Sequence, residues 1–381
     1  FYFYYITSPS DMNDTHLIQA TVKQAHLEEI SHYIYAIIYP IVFLLGLIGN
    51  SFSSLVFSIT KLQRTSCGVY FILLAVADSI ALIGGLHHCL TIGYHVKVRN
   101  AIYCRIRNFL LYTAMDIASW MVVAISVDRF VKMKYPIKGR MYATRKLAII
   151  VSCVITTVFV LKNVHLATPF IGDFSEDAAD HCDPNPDYPN YMSFFKNVWP
   201  FIDLATFALF PFVIVTVCNA FIIHDQYKRR FKLRKRNLDH SLITLLLVSS
   251  ISLIICNLPI TILAAIYPYI SLSYDTNDTY DEVAFAFDIL RLPSYGSLAL
   301  NFYLYYYNSA VFRQQAVLLF KRIFRIPIER KEDIELTNRI PTDRTRFENR
   351  LYSIEESDEY QQISGPTSDD NSFISSFYRQ N

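Results

Sequence analysis

Residues 101–137 read AIYCRIRNFLLYTAMDIASWMVVAISVDRFVKMKYPI. The apolar run ends on Asp128-Arg129-Phe130 and passes into a basic loop that holds Pro136 and Ile137. An Asp-Arg pair is tolerable at the edge of a bilayer and costly within it, so a span that ends on one usually keeps it for function. Cys104 lies twenty-five residues before Arg129. At about 1.5 Å per helical residue the two are roughly 37 Å apart, more than a hydrocarbon core of about 30 Å. One helix therefore carries a cysteine at one membrane face and a candidate switch arginine at the other.

The rest of the chain extends this reading. Of its 381 residues 52% are hydrophobic and 18% charged, and the apolar ones are gathered in long blocks, which is membrane composition. Seven blocks are long enough to span: 33–59, 67–92, 101–131, 147–168, 198–223, 242–269 and 283–308. The expected fold is an all-α membrane protein, a seven-transmembrane helix bundle.

Lys61, Arg64, Lys132, Lys134, Lys138, Arg140, Arg145, Lys146 and the run 228–236 crowd three connecting loops, which are cytoplasmic by the positive-inside rule. The opposite loops are acidic, with Asp173, Glu176, Asp177, Asp180, Asp275 and Asp281 among their residues. Seven spans then leave the N-terminus outside. The sequons at Asn13 and Asn277 both fall on that outer side. Cys104 and Cys182 are the two cysteines of the outer, oxidising face, so a bridge between them is expected. The other five lie in or at the ends of spans, where a small apolar residue is the ordinary reading.

The expected organisation is an extracellular segment 1–32, a transmembrane domain 33–309, a membrane-surface amphipathic helix 310–326 and a disordered cytoplasmic tail 327–381. The chain begins with Phe and without a signal-peptide pattern, so its true start is expected to lie upstream.

A series of short motifs stands in order along the spans: Gly49-Asn50; Leu74-Ala75-Val76-Ala77-Asp78; Asp128-Arg129-Phe130; Pro211; Cys256-Asn257-Leu258-Pro259; and Asn301-Phe302-Tyr303-Leu304-Tyr305, followed by Phe312-Arg313. With the Cys104-to-Arg129 spacing and Pro136-Ile137, the series resembles the rhodopsin-like (class A) G-protein-coupled receptors over about 33–325. Phe302 after Asn301 is similar to invertebrate neuropeptide receptors of the FMRFamide type. The resemblance implies a plasma-membrane receptor that binds an extracellular ligand and activates a heterotrimeric G protein. It implies no enzyme activity and no nucleic-acid partner.

The residues also make physical sense alone. Asp78 lies mid-span, where an ionisable group costs about 2.5–3.5 kcal/mol on translocon scales, so it needs polar neighbours or a counter-ion. Asn50, Ser297 and Asn301 are the nearest candidates. In the family such a cluster can bind sodium, here with Ala118 at the place that usually adds a hydroxyl; a hydrogen-bonded structural network is the other reading. Arg129 would pair with Asp239, which the resemblance puts ahead of the sixth span, unless Asp239 only caps that helix. Tyr305 completes the cytoplasmic switch set. Pro211 and Pro259 are expected hinges, and Ile137 a docking point for a Gα subunit. Serines and threonines of the tail, interspersed with acids, suit kinase phosphorylation and arrestin capture, and the 228–236 run suits membrane lipids.

Three departures bear on activation. Asn257 stands where the sixth span usually has tryptophan, Asn219 where the fifth has tyrosine, and Phe302 replaces the seventh-span proline. For the ligand, Leu111 matches the aspartate of amine receptors and Tyr295 the lysine of opsins, which argues against a monoamine and against retinal. His88, Arg107, Leu111, Tyr267, Asp288, Arg291 and Tyr295 are the candidate ligand residues. Acidic outer loops steer cations, so a basic or amidated peptide is expected, with Asp288 or a loop carboxylate meeting an arginine. Asp116 and Asp203 read as helix-interface or cavity residues, either of which could reach a ligand. A transporter would show an internal repeat, and an intramembrane enzyme a nucleophile beside a base; neither pattern is present. A receptor-like chain that signals constitutively or not at all is the remaining alternative.

Overall fold

A computed structural model of the chain describes residues 14–98, 100–135, 139, 141–172, 182–232, 252, 255–267 and 277–324. Asn13, Pro136, Ile137, Asp239 and the tail lie outside the described residues.

Six described helices are long and apolar enough to cross a membrane: Val22–Ile59, Ser66–Gly93, Ala101–Lys134, Arg145–Ala167, Trp199–Asp225 and Glu282–Asn308. A shorter apolar helix, Ile255–Tyr267, stands where the sixth span is expected. Each of the long ones meets the roughly 20 residues a bilayer requires. We call them spans one to seven in chain order. Span one differs from expectation at its start: the chain is helical from Asp14, through a wide turn at Ile34–Ile38, to Ile59. Residues 14–32 are polar but rich in Ala, Gln, Leu, Glu and Lys, good helix formers that let the helix run past the apolar block.

Local chemistry sets several starts. Thr65 accepts from the Gly68 amide at 3.1 Å, Asn100 from Tyr103 at 3.0 Å and Thr144 from Leu147 at 3.3 Å, each satisfying an amide that the first helical turn leaves over.

Polar groups within the spans are buried in the bundle, and its outer surface is apolar. Asn50, Asp78 and Asp116 are buried, whereas Ile41, Leu44, Ile48 and Val154 are exposed. Spans one and seven approach closely: a Cβ on Gly46 would lie 3.0 Å from Ala299 Cβ and one on Gly49 3.0 Å from Phe302 Cβ. Small residues allow such contact between membrane helices.

Three apolar clusters fill the interior. One surrounds Phe57, Phe71, Met121 and Tyr305, and a second surrounds Tyr35, Tyr39, Leu111 and Tyr295. The third joins Leu166, Ile171, Phe195 and Trp199 to Cys104 and Cys182, which form a disulfide. Gly172 donates to Asp183 and Asn185 to Phe170, both at 2.9 Å, so the two described ends of this outer loop pair beside the bridge.

The chain divides into two units, Phe1–Phe320 with the bundle and Lys321–Asn381, of which 321–324 are described. The final helix, Ala310–Ile323, buries Phe312, Gln315 and Leu319.

Candidate ligand site and signalling core

The second and third spans bring Arg107 to His88. Arg107 Nη2 lies 2.7 Å from His88 Nε2, Nε donates to the Gly84 carbonyl at 3.2 Å, and Nη1 donates to Asn108 Oδ1 at 2.7 Å. A guanidinium has only donors, so His88 Nε2 must accept, which makes the ring neutral with its proton on Nδ1. All three partners are therefore uncharged. Asn108 in turn donates to the Cys182 carbonyl at 3.1 Å, tying the group to the disulfide loop.

Span seven adds Arg291, paired with Asp288 Oδ1 at 3.1 Å, and Tyr295. Tyr295 meets Tyr39 edge-on at 5.2 Å and His88 at 6.3 Å. Tyr35 donates to the Asp288 carbonyl at 3.1 Å. The expected ligand residues His88, Arg107, Arg291, Asp288 and Tyr295 thus form one neighbourhood. Asp288 is engaged through Oδ1 and its side chain is 3% exposed, while its Oδ2 is buried without a hydrogen-bond partner among the described residues. Leu111 packs against Gly84, where an added Cβ would lie 3.2 Å away, and belongs to the contact between spans two and three. Tyr267 meets Phe287 edge-on at 5.7 Å.

Beside the disulfide, His165, Phe170, Tyr191, Phe194 and Trp199 make a continuous aromatic group, with His165 Nδ1 2.8 Å from the Tyr191 hydroxyl. Burial raises the Tyr191 hydroxyl pKa, and burial lowers that of Lys196 against the pull of Asp183.

Nearby, Lys162 of span four bridges Asp116 of span three and Asp203 of span five, at 2.9 and 3.1 Å. Lys162 escaped the sequence reading. A lysine in an apolar span requires an anionic partner; its place inside the block 147–168 signals that one exists, not that it is Asp116 and Asp203. The neighbouring contact explains how Pro211 is tolerated. Proline at 211 cannot donate to the carbonyl of residue 207. Ser119 donates to that carbonyl at 2.7 Å, and Trp120 Nε1 to the Thr206 carbonyl at 2.8 Å. The wide turn Leu204–Leu209 ends two residues before the proline.

In the polar core, Asn301 donates to Asp78 Oδ2 at 2.6 Å and Asn50 to the Leu298 carbonyl at 3.2 Å. Ser297 turns its hydroxyl to the Ser294 carbonyl, away from the role expected for it beside Asp78. Asp78 Oδ1 and Asn50 Oδ1 are buried and lack a hydrogen-bond partner among the described residues. Two such acceptors fit a cation's oxygen preference; Ala118 adds no ligand. Asn257 accepts from Ser294 at 2.6 Å. Spans six and seven are thus clasped by a small polar pair, two residues before Pro259.

At the end of span three that carries the Asp-Arg pair, Asp128 receives Ser66 at 2.8 Å, Cys67 at 3.0 Å and Lys132 at 3.1 Å. Cys67, read from sequence as an ordinary apolar cysteine, is a hydrogen-bond partner. Among the described residues Arg129 has no ion pair or hydrogen bond. Tyr305 packs among Phe57, Phe71 and Phe312 at 4.9–6.3 Å. Phe302 stacks on Tyr306 and meets Phe312 at 5.8 Å, so the residue in proline's place serves packing. Asn277 begins the helix Asn277–Asn308.

Comparison with known proteins agrees with this architecture. The chain is 24% identical over 306 residues to mouse cysteinyl leukotriene receptor 2, covering 79% of this chain and 96% of that one. It is 23% identical over 246 residues to chicken lysophosphatidic acid receptor 6, covering 63% and 78%. It is 24% identical over 217 residues to bovine thyrotropin-releasing hormone receptor, covering 56% and 52%. Residues 49–305 match the family described as 7 transmembrane receptor (rhodopsin family), and the chain belongs to it.

Proposed function

We propose that this receptor sits in the plasma membrane with its N-terminus outside, binds an extracellular peptide at the Arg107–His88–Arg291–Tyr295 group, and activates a heterotrimeric G protein through its cytoplasmic face. The observation that carries the ligand reading is Arg107. Its three partners are neutral, so its charge is left for a ligand. A carboxylate would meet it with two parallel hydrogen bonds. A free C-terminus or acidic side chain therefore suits the pocket better than the amidated end expected from sequence.

The relatives are named for ligands as different as leukotrienes, lysophosphatidic acid and thyrotropin-releasing hormone, and do not choose among them. The FMRFamide-type likeness rests on Phe302 after Asn301. A sodium ion at Asp78 belongs to this proposal, supported by the two unpaired acceptors. So do glycans on Asn13 and Asn277, kinase and arrestin action on the tail, and lipid contact by the basic loops. Opening is proposed at Pro259, with Arg129 released to the G protein at Pro136-Ile137 after any pairing with Asp239 is lost.

The test is G-protein dissociation in cells expressing the chain, challenged with a peptide library synthesised both as free acids and as amides. The expected result is a response to a free acid that its amide loses at least tenfold in potency, and that Arg107→Gln lowers likewise. Arg129→Ala is expected to abolish signalling with surface expression retained. Equal potency of acid and amide in every active pair would overturn the anionic reading, and silence of the whole library in surface-expressed receptor would overturn the peptide.

A further inference from the structure

The turn that follows span two is fastened to the wide turn of span one. Gly93 lies so close that an added Cβ would stand 2.8 Å from the Ala36 amide nitrogen. The Tyr94 hydroxyl donates to the Ala36 carbonyl at 3.2 Å, and the Val96 amide donates to the Leu90 carbonyl at 2.9 Å. His95, held between these contacts, has φ 52°, and among the described residues it alone has a positive φ without being glycine. Such a conformation persists only where neighbours enforce it, and it marks a candidate for function.

The enforced position brings His95 to His32, on the helix that runs into span one. Their rings are parallel within 2°, with centroids 5.0 Å apart. Neither ring makes a hydrogen bond or ion pair among the described residues, and His32 Nδ1 is buried without a partner. An imidazole nitrogen that carries no proton is an acceptor, so the pair presents lone pairs that no described group uses. Glu28 and Glu29 stand exposed one turn before His32 and attract a cation; Lys97, two residues past His95, opposes them.

The spacing suits a metal ion. An imidazole nitrogen lies about 1.2 Å from its ring centre and about 2.0–2.1 Å from a bound zinc, so the ion stands about 3.2 Å from each centroid. Centroids 5.0 Å apart then subtend about 100° at the ion, near the tetrahedral angle of about 109°. A metal lies in the plane of each ring that binds it, so one ring must turn out of the parallel stack. His95 is exposed, and rotation about its Cβ–Cγ bond reorients the ring while leaving its centroid almost in place.

We propose that His32 and His95 form a site for a divalent transition metal of the zinc, copper or nickel kind, ions for which imidazole is a suitable ligand. Among the described residues no group of three or more His, Cys, Asp or Glu stands together, so water completes the shell. Two protein ligands are fewer than the four of a structural zinc and the three of a catalytic one. The ion therefore exchanges with the medium, and while bound it ties the helix Asp14–Tyr33 to the turn between spans two and three. The inference is independent of the ligand reading.

The test uses zinc itself. The full chain, purified in detergent and stripped of metal by a chelator, is dialysed against graded free Zn2+, and the bound ion is examined by X-ray absorption at the zinc edge. The expected result is an ion with two imidazoles in its shell. His95→Asn installs a residue that accepts left-handed backbone and removes the imidazole. It should cost the ion one imidazole and weaken binding by roughly tenfold or more, since even an outer-shell partner is worth that much. His32→Phe, which keeps a ring against His95, should do the same, and His95→Asn alone decides if the phenylalanine variant does not fold. The double variant supplies the background from the other histidines. Binding as tight in His95→Asn and in the double variant as in the parent would overturn the site. So would a first shell with sulfur at about 2.3 Å, which places the ion on a cysteine.

Discussion

Asp116 and Asp78 are equally buried, at 1% and 0% exposure, and they meet that burial with different chemistry. Asp116 is held by a lysine and an amide from span four. Asp78 is held by a single amide, and its other oxygen has no donor among the described residues. The first arrangement is built from side chains that the fold itself supplies, so it acts as scaffold. The second leaves an acceptor open to the proposed sodium ion, which would make the site adjustable. The same costly group is fully partnered at one contact and half-partnered at the other.

The largest expected effect breaks the scaffold. Lys162→Met strands two carboxylates, and thermal unfolding of the detergent-purified receptor should show a loss of about 3–5 kcal/mol. Adding Asp116→Asn and Asp203→Asn should restore most of it, because removing a whole buried ion cluster is often neutral. A single Lys162→Met variant as stable as its parent would show that the triad carries no stability.

Ser119→Ala comes next. It leaves the Phe207 carbonyl without its donor, which costs about 1–3 kcal/mol for a buried polar group, and the same unfolding assay reads it. The corresponding Thr113→Ala change removes no bond made to span five and serves as the control.

For the adjustable site, replacing sodium by choline should lower unmodified receptor stability by about 1 kcal/mol, while Asp78→Asn should abolish the difference. Sodium dependence that persists in Asp78→Asn would place the ion elsewhere. The smallest effect is expected at Asn257→Ala, which removes one neutral bond to Ser294 at about 0.5–1.5 kcal/mol. Its clearer readout is ligand-independent G-protein dissociation, which should rise as the clasp between spans six and seven loosens.

Span positions were legible in the sequence because the bilayer imposes a length and forbids charge. Spans two, three and four begin within two residues of their expected starts. Where that rule stops, so does the accuracy: the polar helix at 14–32 obeys helix propensity rather than the bilayer. The cysteine pair was legible by compartment. The Asp288–Arg291 contact could have been foreseen, since the pair stands at helical i,i+3 spacing. The Lys162 triad was not, because its three residues lie on three spans and no local period links them. Nor does any sequence pattern reveal that Ser119 serves the carbonyl freed by Pro211, since that depends on which faces of spans three and five meet.

The glycine contact between spans one and seven bears on how the molecule is made. Gly46 meets Ala299 and Leu82, and Gly49 meets Phe302 and Tyr303, so the first span to be synthesised finishes its packing against the last. At about 5–20 residues per second, the roughly 250 residues between Gly46 and Ala299 take some tens of seconds to translate. In that interval the glycine stripe gains its contact to span two once Leu82 is made but lacks those to span seven. A nascent chain stalled before residue 299 therefore lacks the span-seven side of this contact, and its first span is left with only the packing that span two provides.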